Sequence, residues 1–236
     1  MRLSIVLPCY NEADNLSLLL ERYHQVWDDL PAELILVDNG SGDDTAQVLE
    51  RELSKPEYAF ARTVLVPVNR GYGSGIAAGL GEARGEYVAF SHADMQCSPA
   101  DVFAAYHRQV AESVPQNTLV KGKRMRRGLG ASLFTVSMGL LASTVLFTWM
   151  TDINAQPKVF HRSHLERLTD PPLGFEFDTF VLWRARKAGL TILTVPVAFV
   201  PRAHGTSKWA FSFRSRVRTI WGTIVYLFRL RLGTAR

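Results

Sequence analysis

Four clusters of polar residues each follow a short apolar run: Pro8-Cys9-Tyr10-Asn11-Glu12, Asp38-Asn39-Gly40-Ser41, Asn69-Arg70-Gly71-Tyr72-Gly73 and His92-Ala93-Asp94-Met95-Gln96. Carboxylates and amides in such places can read the hydroxyls and base edge of a nucleoside, and a glycine such as Gly71 lets backbone come close to a phosphate. His92 and Asp94 flank one small residue, a spacing that lets both point at one divalent cation. That cation would bridge a diphosphate and neutralise charge as it departs. Taken singly, each cluster has a plainer reading. Asp38-Asn39-Gly40 fits an ordinary turn. Gly71-Tyr72-Gly73-Ser74-Gly75 lacks the spacing of a dinucleotide fingerprint and follows the third strand rather than the first. His24, His107, His161 and His164 read as surface or structural residues.

The elements that must carry these clusters alternate. Leu3–Leu7 is a β-rich run stopped by Pro8, and Leu16, Leu19, Leu20, Tyr23 and Val26 then repeat at helical spacing. Leu34–Val37, Val64–Val66 and Tyr87–Phe90 read as further strands. The helix between the second and third carries Val48, Leu49 and Leu53 behind Ser41-Gly42-Asp43-Asp44. Ser98 and Pro99 are the N-cap and first position of another helix. Repeated β-α-β units predict an α/β fold, a Rossmann-like and mostly parallel sheet flanked by helices. In such sheets ligands bind beyond the carboxyl ends of the strands, where all four polar clusters fall. The second half is less regular: a strand-like piece at Lys158-Val159-Phe160, a turn at Pro171–Gly174, a helix over Phe177–Ala188 and a strand over Thr191–Val195.

Charge and hydropathy add a surface. The 236 residues carry a net charge of +5, and eleven Lys and Arg but no Asp or Glu occur from Thr179 to Arg236. A neutral front and a basic tail suit docking on anionic headgroups. The tail's long apolar runs fit lipid better than nucleic acid, so no nucleic-acid partner is expected. Cys9 and Cys97 are too few for a disulfide framework or a zinc cluster and read as reduced cytosolic thiols. The apolar run before Pro8 is too short for a signal peptide, which places the catalytic part in the cytosol.

Gly128 to Thr151 is uncharged over 24 residues, about 36 Å as a helix and long enough to span a bilayer. A single crossing would separate Asp178, Arg202 and Lys208, which the family resemblance given next draws into the site, from Asp38 and Asp94, which argues for a helix lying in the membrane plane at about 129–150. Ser137, Thr144, Thr148 and Thr151 are expected to form its polar face, opposite Leu140, Leu141, Val145 and Phe147. The organisation expected is a catalytic domain over 1–208 that includes this helix, followed by a basic amphipathic membrane-associating tail over 209–236. The association would be peripheral or monotopic, at the cytoplasmic face, with oligomerisation left open.

The stretches IVLPCYNEADNL, LILVDNGSGDDT, NRGYGSGIAAGLGEARGEYVAFSHADMQ, KGKR, DINAQPKVFHR, GFEFDTFVLWRARKAGLTILTVPVAF and PRAHGTSK resemble the family-2 glycosyltransferases of the GT-A fold. Within them the chain is most similar to dolichol- and polyprenyl-phosphate mannose or hexose synthases. The early stretches mark the superfamily; Arg-x-x-Gly-x-Ser-Lys near the end is more particular to lipid-phosphate acceptors. The resemblance implies a nucleoside-diphosphate sugar donor, a polyprenyl phosphate acceptor, and Mg2+ or Mn2+. It implies that Pro8, Tyr10 and Glu12 line the base and ribose pocket while Asp38 holds the nucleoside. Asp94 would bind metal and diphosphate beside Gln96, and Arg124 would face phosphate. Arg202, Ser207 and Lys208 would gather around the acceptor phosphate or donor diphosphate. Transfer would be a single in-line displacement with inversion. A phosphate acceptor needs no general base, whereas the hydroxyl of a saccharide or lipid-linked glycan, the alternative acceptor, would need one, and Asp178 is the candidate. Three positions depart from the family pattern. His92 replaces the first aspartate of Asp-x-Asp, tilting the site toward softer ions such as manganese. Asn39 replaces an aspartate, and Phe180 stands where an acidic residue is common.

Overall fold

The computed structural model describes residues 1–27, 30–125, 129–198, 200 and 213–234. The first half alternates as expected: β1 (Leu3–Cys9), α1 (Ala13–Val26), β2 (Ala32–Asn39), α2 (Thr45–Leu53), β3 (Ala61–Val66), α3 (Tyr72–Gly81), β4 (Tyr87–Phe90) and α4 (Pro99–Val110). The second half contributes β5 (Thr118–Met125), α5 (Leu129–Leu146), β6 (Lys158–His161), α6 (Phe177–Lys187), β7 (Thr191–Ala198) and α7 (Phe213–Leu232). The strands form a seven-stranded sheet in the order β3-β2-β1-β4-β6-β5-β7. Neighbouring pairs are parallel except β4–β6 and β5–β6, so β6 alone runs backwards.

Alternation along β1 sorts its side chains into two cores. Leu3, Ile5 and Leu7 pack under α1, α2 and α4. Val6, with Ile35 and Val37 of β2, packs on the other face under α3 and α6, together with Ala142 and Leu146 of α5 and Leu227 and Leu230 of α7. Burial on both faces is what a parallel sheet covered by helices requires. Gly79 sets the closeness of α3 to the sheet: a Cβ there would lie 2.4 Å from Val6 Cγ1 and 2.7 Å from Val37 Cγ2. Ser98 and Asp101 close a reciprocal capping box ahead of Pro99 at the start of α4. Asp44, by contrast, sits at the N-cap of α2 without a side-chain cap, and Asp43 Oδ1 accepts from Thr45 N at 3.1 Å. Cys9 and Cys97 are free and buried.

The basic run around Lys121 and Arg124, where the sequence pattern gives no strand signal, is β5, a sheet strand between β6 and β7. Lys121 is buried in it, held by the carbonyls of Gly122 (3.1 Å) and Asp152 (2.9 Å). The uncharged segment does form a helix, but its polar and apolar residues do not separate as expected. Leu133, Val136 and Leu140 are exposed on α5 together with Ser137 and Thr144, and Phe147 is exposed just beyond its end. The hydroxyls of Ser137 and Thr144 donate to the carbonyls of Leu133 (2.9 Å) and Leu140 (2.9 Å), one turn back. A hydroxyl bonded to its own helix needs no polar surroundings, so these residues mark no aqueous face. Among the described residues no helix is long and apolar enough to cross a membrane.

Candidate active site

From β1 the chain proceeds to β2 and β3 on one side, then crosses to β4 on the other. The crevice between β1 and β4 at their carboxyl ends is therefore the topological switch point of the sheet. All four polar clusters lie along this edge, because the strands that deliver them are parallel.

The first two clusters are stitched together. Asn11 adopts a left-handed φ of 55°, and its N–H donates to Ser41 Oγ at 3.1 Å while Gly42 N–H donates to Asn11 Oδ1 at 2.9 Å. Glu12 N–H donates to Thr45 Oγ1 at 3.0 Å, and its carboxylate accepts from Asn15 Nδ2 at 2.6 Å. Asp38 is buried, with Oδ1 accepting from Ser41 N–H at 3.0 Å. It thus closes the turn that the bare sequence also allowed, and the turn fixes its carboxylate at the strand end. Tyr10 is exposed at the rim and Pro8 is half-buried.

Asn39 has a reason for being an amide. Its Nδ2 donates to the Gly71 carbonyl at 2.9 Å, a bond that an aspartate, an acceptor only, cannot make. Gly71 has φ +124°, and a Cβ there would fall 2.3 Å from the Leu173 carbonyl oxygen. Its N–H donates to Asn69 Oδ1 at 2.8 Å. The glycine is demanded by its left-handed backbone and by the close approach of the turn before α6, whatever ligand lies beyond it.

Asp94 is buried, and its Oδ1 accepts from Gln96 N–H at 3.2 Å. Between them Met95, also buried, is held at φ 64°. A non-glycine residue held in this region costs free energy that the surrounding structure must offset, and such residues gather at ligand-binding sites. Gln96 Nε2 donates to the Val200 carbonyl at 3.2 Å, tying the loop to the chain after β7. The His92 ring lies 5.5 Å from that of Tyr72, which stacks on Phe175 at 5.5 Å. Among the described residues no group of three or more His, Cys, Asp or Glu could hold a metal ion.

Asp178, in the first turn of α6, is buried and ion-paired with the buried Lys158 of β6. Its Oδ1 also accepts from Gln156 Nε2 at 2.9 Å, and that amide lies 3.0 Å from the Tyr72 hydroxyl. Burial, reinforced by the charge of Asp178, pushes the Tyr72 phenol well above its ordinary value. Burial pulls the Lys158 ammonium down, against the opposing pull of Asp178. Arg124, the expected phosphate ligand, makes an ion pair with Asp152, with its Nε 2.8 Å from Oδ1 and its backbone N–H 2.8 Å from Oδ2. Burial raises the Asp152 carboxyl, but Arg124 more than offsets this and leaves it below the ordinary range. Arg202, Ser207 and Lys208 lie outside the described residues.

Sequence reasoning placed Tyr72 in a strand-end cluster without giving it a role, and missed Asp152, Gln156 and Lys158 as parts of this constellation. One signal was available for Lys158: a lysine heading the apolar run Val159-Phe160 needs a carboxylate from elsewhere if it is buried.

A family model for glycosyl transferase family 2 matches residues 4–133. An undecaprenyl-phosphate 4-deoxy-4-formamido-L-arabinose transferase of Edwardsiella ictaluri is 30% identical over 87% of this chain and 62% of its own length. A protein of the same name from Pseudomonas fluorescens is 30% identical over 88% of the chain and 60% of its own length. The chain thus spans about three fifths of the curated relatives it matches. Among solved structures, glucosyl-3-phosphoglycerate synthase from Mycobacterium tuberculosis, in complex with Mn2+, uridine diphosphate and glucosyl-3-phosphoglycerate, superposes with a TM-score of 0.72 at 23% identity, over 98% of this chain and 80% of that one. The same enzyme with Mg2+ and uridine diphosphate gives 0.73 at 22% identity, over 98% and 79%. These likenesses show the GT-A fold.

Proposed function

The chain belongs to glycosyl transferase family 2, and on that premise we propose that it transfers a sugar from a nucleoside-diphosphate donor to a polyprenyl phosphate at the cytoplasmic face of a membrane. The undecaprenyl-phosphate transferases among its relatives support this acceptor class, and the uridine diphosphate held by the structural neighbours supports the donor class.

The observation that carries the choice of acceptor is the state of Asp178. A hydroxyl acceptor needs a base in reach. Asp178, the carboxylate best placed to be that base, is buried and engaged by Lys158 and Gln156. Its Oδ1 already accepts from both the Lys158 ammonium and the Gln156 amide, which commits it to holding those groups. A phosphate acceptor arrives already anionic and asks nothing of it. Asp178 would then orient Tyr72 and Gln156, which line the same edge of the sheet.

The loop over Pro8–Glu12, with Tyr10 at its rim, and Asp38 would hold the nucleoside. Asp94, in a loop constrained by Met95, would face the diphosphate, with Gln96 fixing that loop to the segment after β7. The donor set of Asp94 carboxylate, His92 imidazole and Gln96 amide suits Mg2+ or Mn2+ when diphosphate oxygens complete the shell. Such a cation, when bound, would neutralise charge developing on the departing nucleoside diphosphate. Arg202, Ser207 and Lys208 would supply further positive charge and hydrogen bonds to phosphate. Arg124 would reach a phosphate only as part of its pair with Asp152.

The deciding experiment offers the purified protein a panel of radiolabelled nucleotide sugars with polyprenyl phosphate and Mn2+, then extracts product into organic solvent. Label moving into the lipid phase for one donor is the expected result. Transfer to saccharide hydroxyls with none to lipid phosphate would overturn the acceptor.

A further inference from the structure

Away from the strand-end crevice, the ends of α5, α6 and α7 meet around a cavity of about 300 Å³ lined by Leu146, Trp183, Lys187 and Arg231. We propose that this cavity binds the phosphate headgroup of an anionic membrane lipid. The proposal rests on the membrane reading above, not on the identity of the sugar acceptor.

The chemistry is that of an anion site. Among the described residues that line it, two of the four are cations and none is an acid. Aromatic faces hold both cations: Lys187 Nζ lies 5.8 Å from the Trp183 ring centroid, and the Arg231 guanidinium lies 4.0 Å from that of Phe147. An aromatic face positions a cation without cancelling its charge, as a carboxylate would. Lys187 and Arg231 each stand in the last turn of their helix, where a cation ordinarily offsets the terminal carbonyls. That role needs neither the indole nor a cavity shared between two helices. Lys187 lies nine positions beyond Asp178 on α6, about 14 Å along the axis, so the cavity is distinct from the crevice that holds Asp178.

The surroundings favour a lipid over a free anion. Phe147 is 76% exposed, Trp149 66% and Leu232 74%, so the cavity opens beside bare apolar surface. Trp221, Phe228 and Leu232 are all exposed and recur at spacings of seven and four, which puts them on one stripe of α7, with Arg229 and Arg231 on its two flanks. α5 adds Leu133, Val136 and Leu140. A soluble phosphate would use none of this surface, whereas a headgroup brings acyl chains that would cover it.

Vesicle sedimentation tests the idea, using phosphatidylcholine alone and phosphatidylcholine doped with phosphatidylglycerol. The wild-type protein is expected to prefer the doped vesicles. Arg231→Gln and Lys187→Gln should each lower that preference about fivefold, the scale of one cation near an anionic surface. Arg229→Gln, which removes the same charge from the other flank of α7, should lower it much less. Equal losses from Arg229→Gln and Arg231→Gln would mean diffuse attraction and would overturn the cavity. A thermal shift with inorganic phosphate that Arg231→Gln abolishes, in a protein indifferent to phosphatidylglycerol, would make this a free-anion site and overturn the lipid. Transfer to a short-chain, water-soluble polyprenyl phosphate should be unchanged in all three variants. If the wild type fails that assay, the proposed function falls while the sedimentation result still decides the cavity.

Discussion

Lys158 and Asp178 form an ion pair whose side chains are 0% and 3% exposed, joining β6 to the first turn of α6 beneath the edge that carries the polar loops. The ammonium also donates to the Ala155 carbonyl at 3.2 Å, and the Phe90 ring lies 5.3 Å from it. A buried pair of this kind contributes little net stability compared with a well-packed apolar pair, but losing one partner leaves the other charged and unsolvated.

Lys158→Met should therefore lower the free energy of unfolding by about 3–5 kcal/mol, read from urea denaturation. The double variant Lys158→Met/Asp178→Leu should be more stable than the single one. Equal stabilities for the two would show that Asp178 had not been left unpaired.

Asp178→Asn separates positioning from base catalysis. With a polyprenyl phosphate acceptor the turnover number should stay within about tenfold of wild type, because a general base contributes about 10²–10⁴-fold. A fall into that larger range, with the variant still folded by circular dichroism, would return Asp178 to the role of base.

Asp94→Asn should lower turnover by about 10²-fold or more, the scale of losing one well-placed electrostatic group, while leaving the melting temperature little changed. His92→Ala should be milder and should raise the Mn2+ concentration needed for half-maximal rate. Near-normal turnover of Asp94→Asn at saturating metal would remove this carboxylate from the site.

At Gly71 a side chain meets backbone that cannot move alone. The Leu173 oxygen would lie 2.3 Å from a Cβ, and φ is +124°. Gly71→Ala should cost about 1–3 kcal/mol by crowding, with a further penalty for the backbone. Loss of stability without any ligand, by thermal melting, distinguishes this packing role from a role confined to phosphate binding.

Lys121 gives stability a pH dependence. Burial first, and then the neighbouring Lys158, pull its ammonium down to about 7 from its ordinary 10.5, with Asp152 and Asp178 opposing and Arg124 assisting. Between those limits the unfolded chain binds the proton and the folded one does not, so this group makes stability rise with pH from about 7 toward 10.5, at up to 1.4 kcal/mol per unit. Below about 7 both forms carry the charge and its penalty is constant. Lys121→Met should flatten the slope across that window, measured by denaturation at a series of pH values. An unchanged slope would assign it to other groups.

Local pattern made the first half of the fold legible. Short β-rich runs alternating with helical spacing imply parallel strands, and right-handed crossovers then force all four polar clusters onto one edge. The Ser98–Asp101 cap could be read from residue types alone, because both partners lie within one turn. The roles expected of Asp38, Asp94 and the 201–208 segment rest on motif likeness, which names a residue without giving its partners.

The tertiary structure decided what depends on residues far apart in sequence. β5 was hidden because Lys121, Lys123 and Arg124 make it look like a solvated flank. It is a sheet strand because Asp152, 28 residues beyond Arg124, supplies the countercharge. Separation in sequence likewise kept the Lys158–Asp178 pair, the Asn39–Gly71 bond and the Leu173 contact out of sight. On α5 the polar side chains bond to their own helix, so composition could not reveal which face would lie bare. Hydrophobic periodicity records whether a side chain avoids water. A buried charge is stable only beside a particular partner, and which partner arrives is fixed by the packing of distant segments.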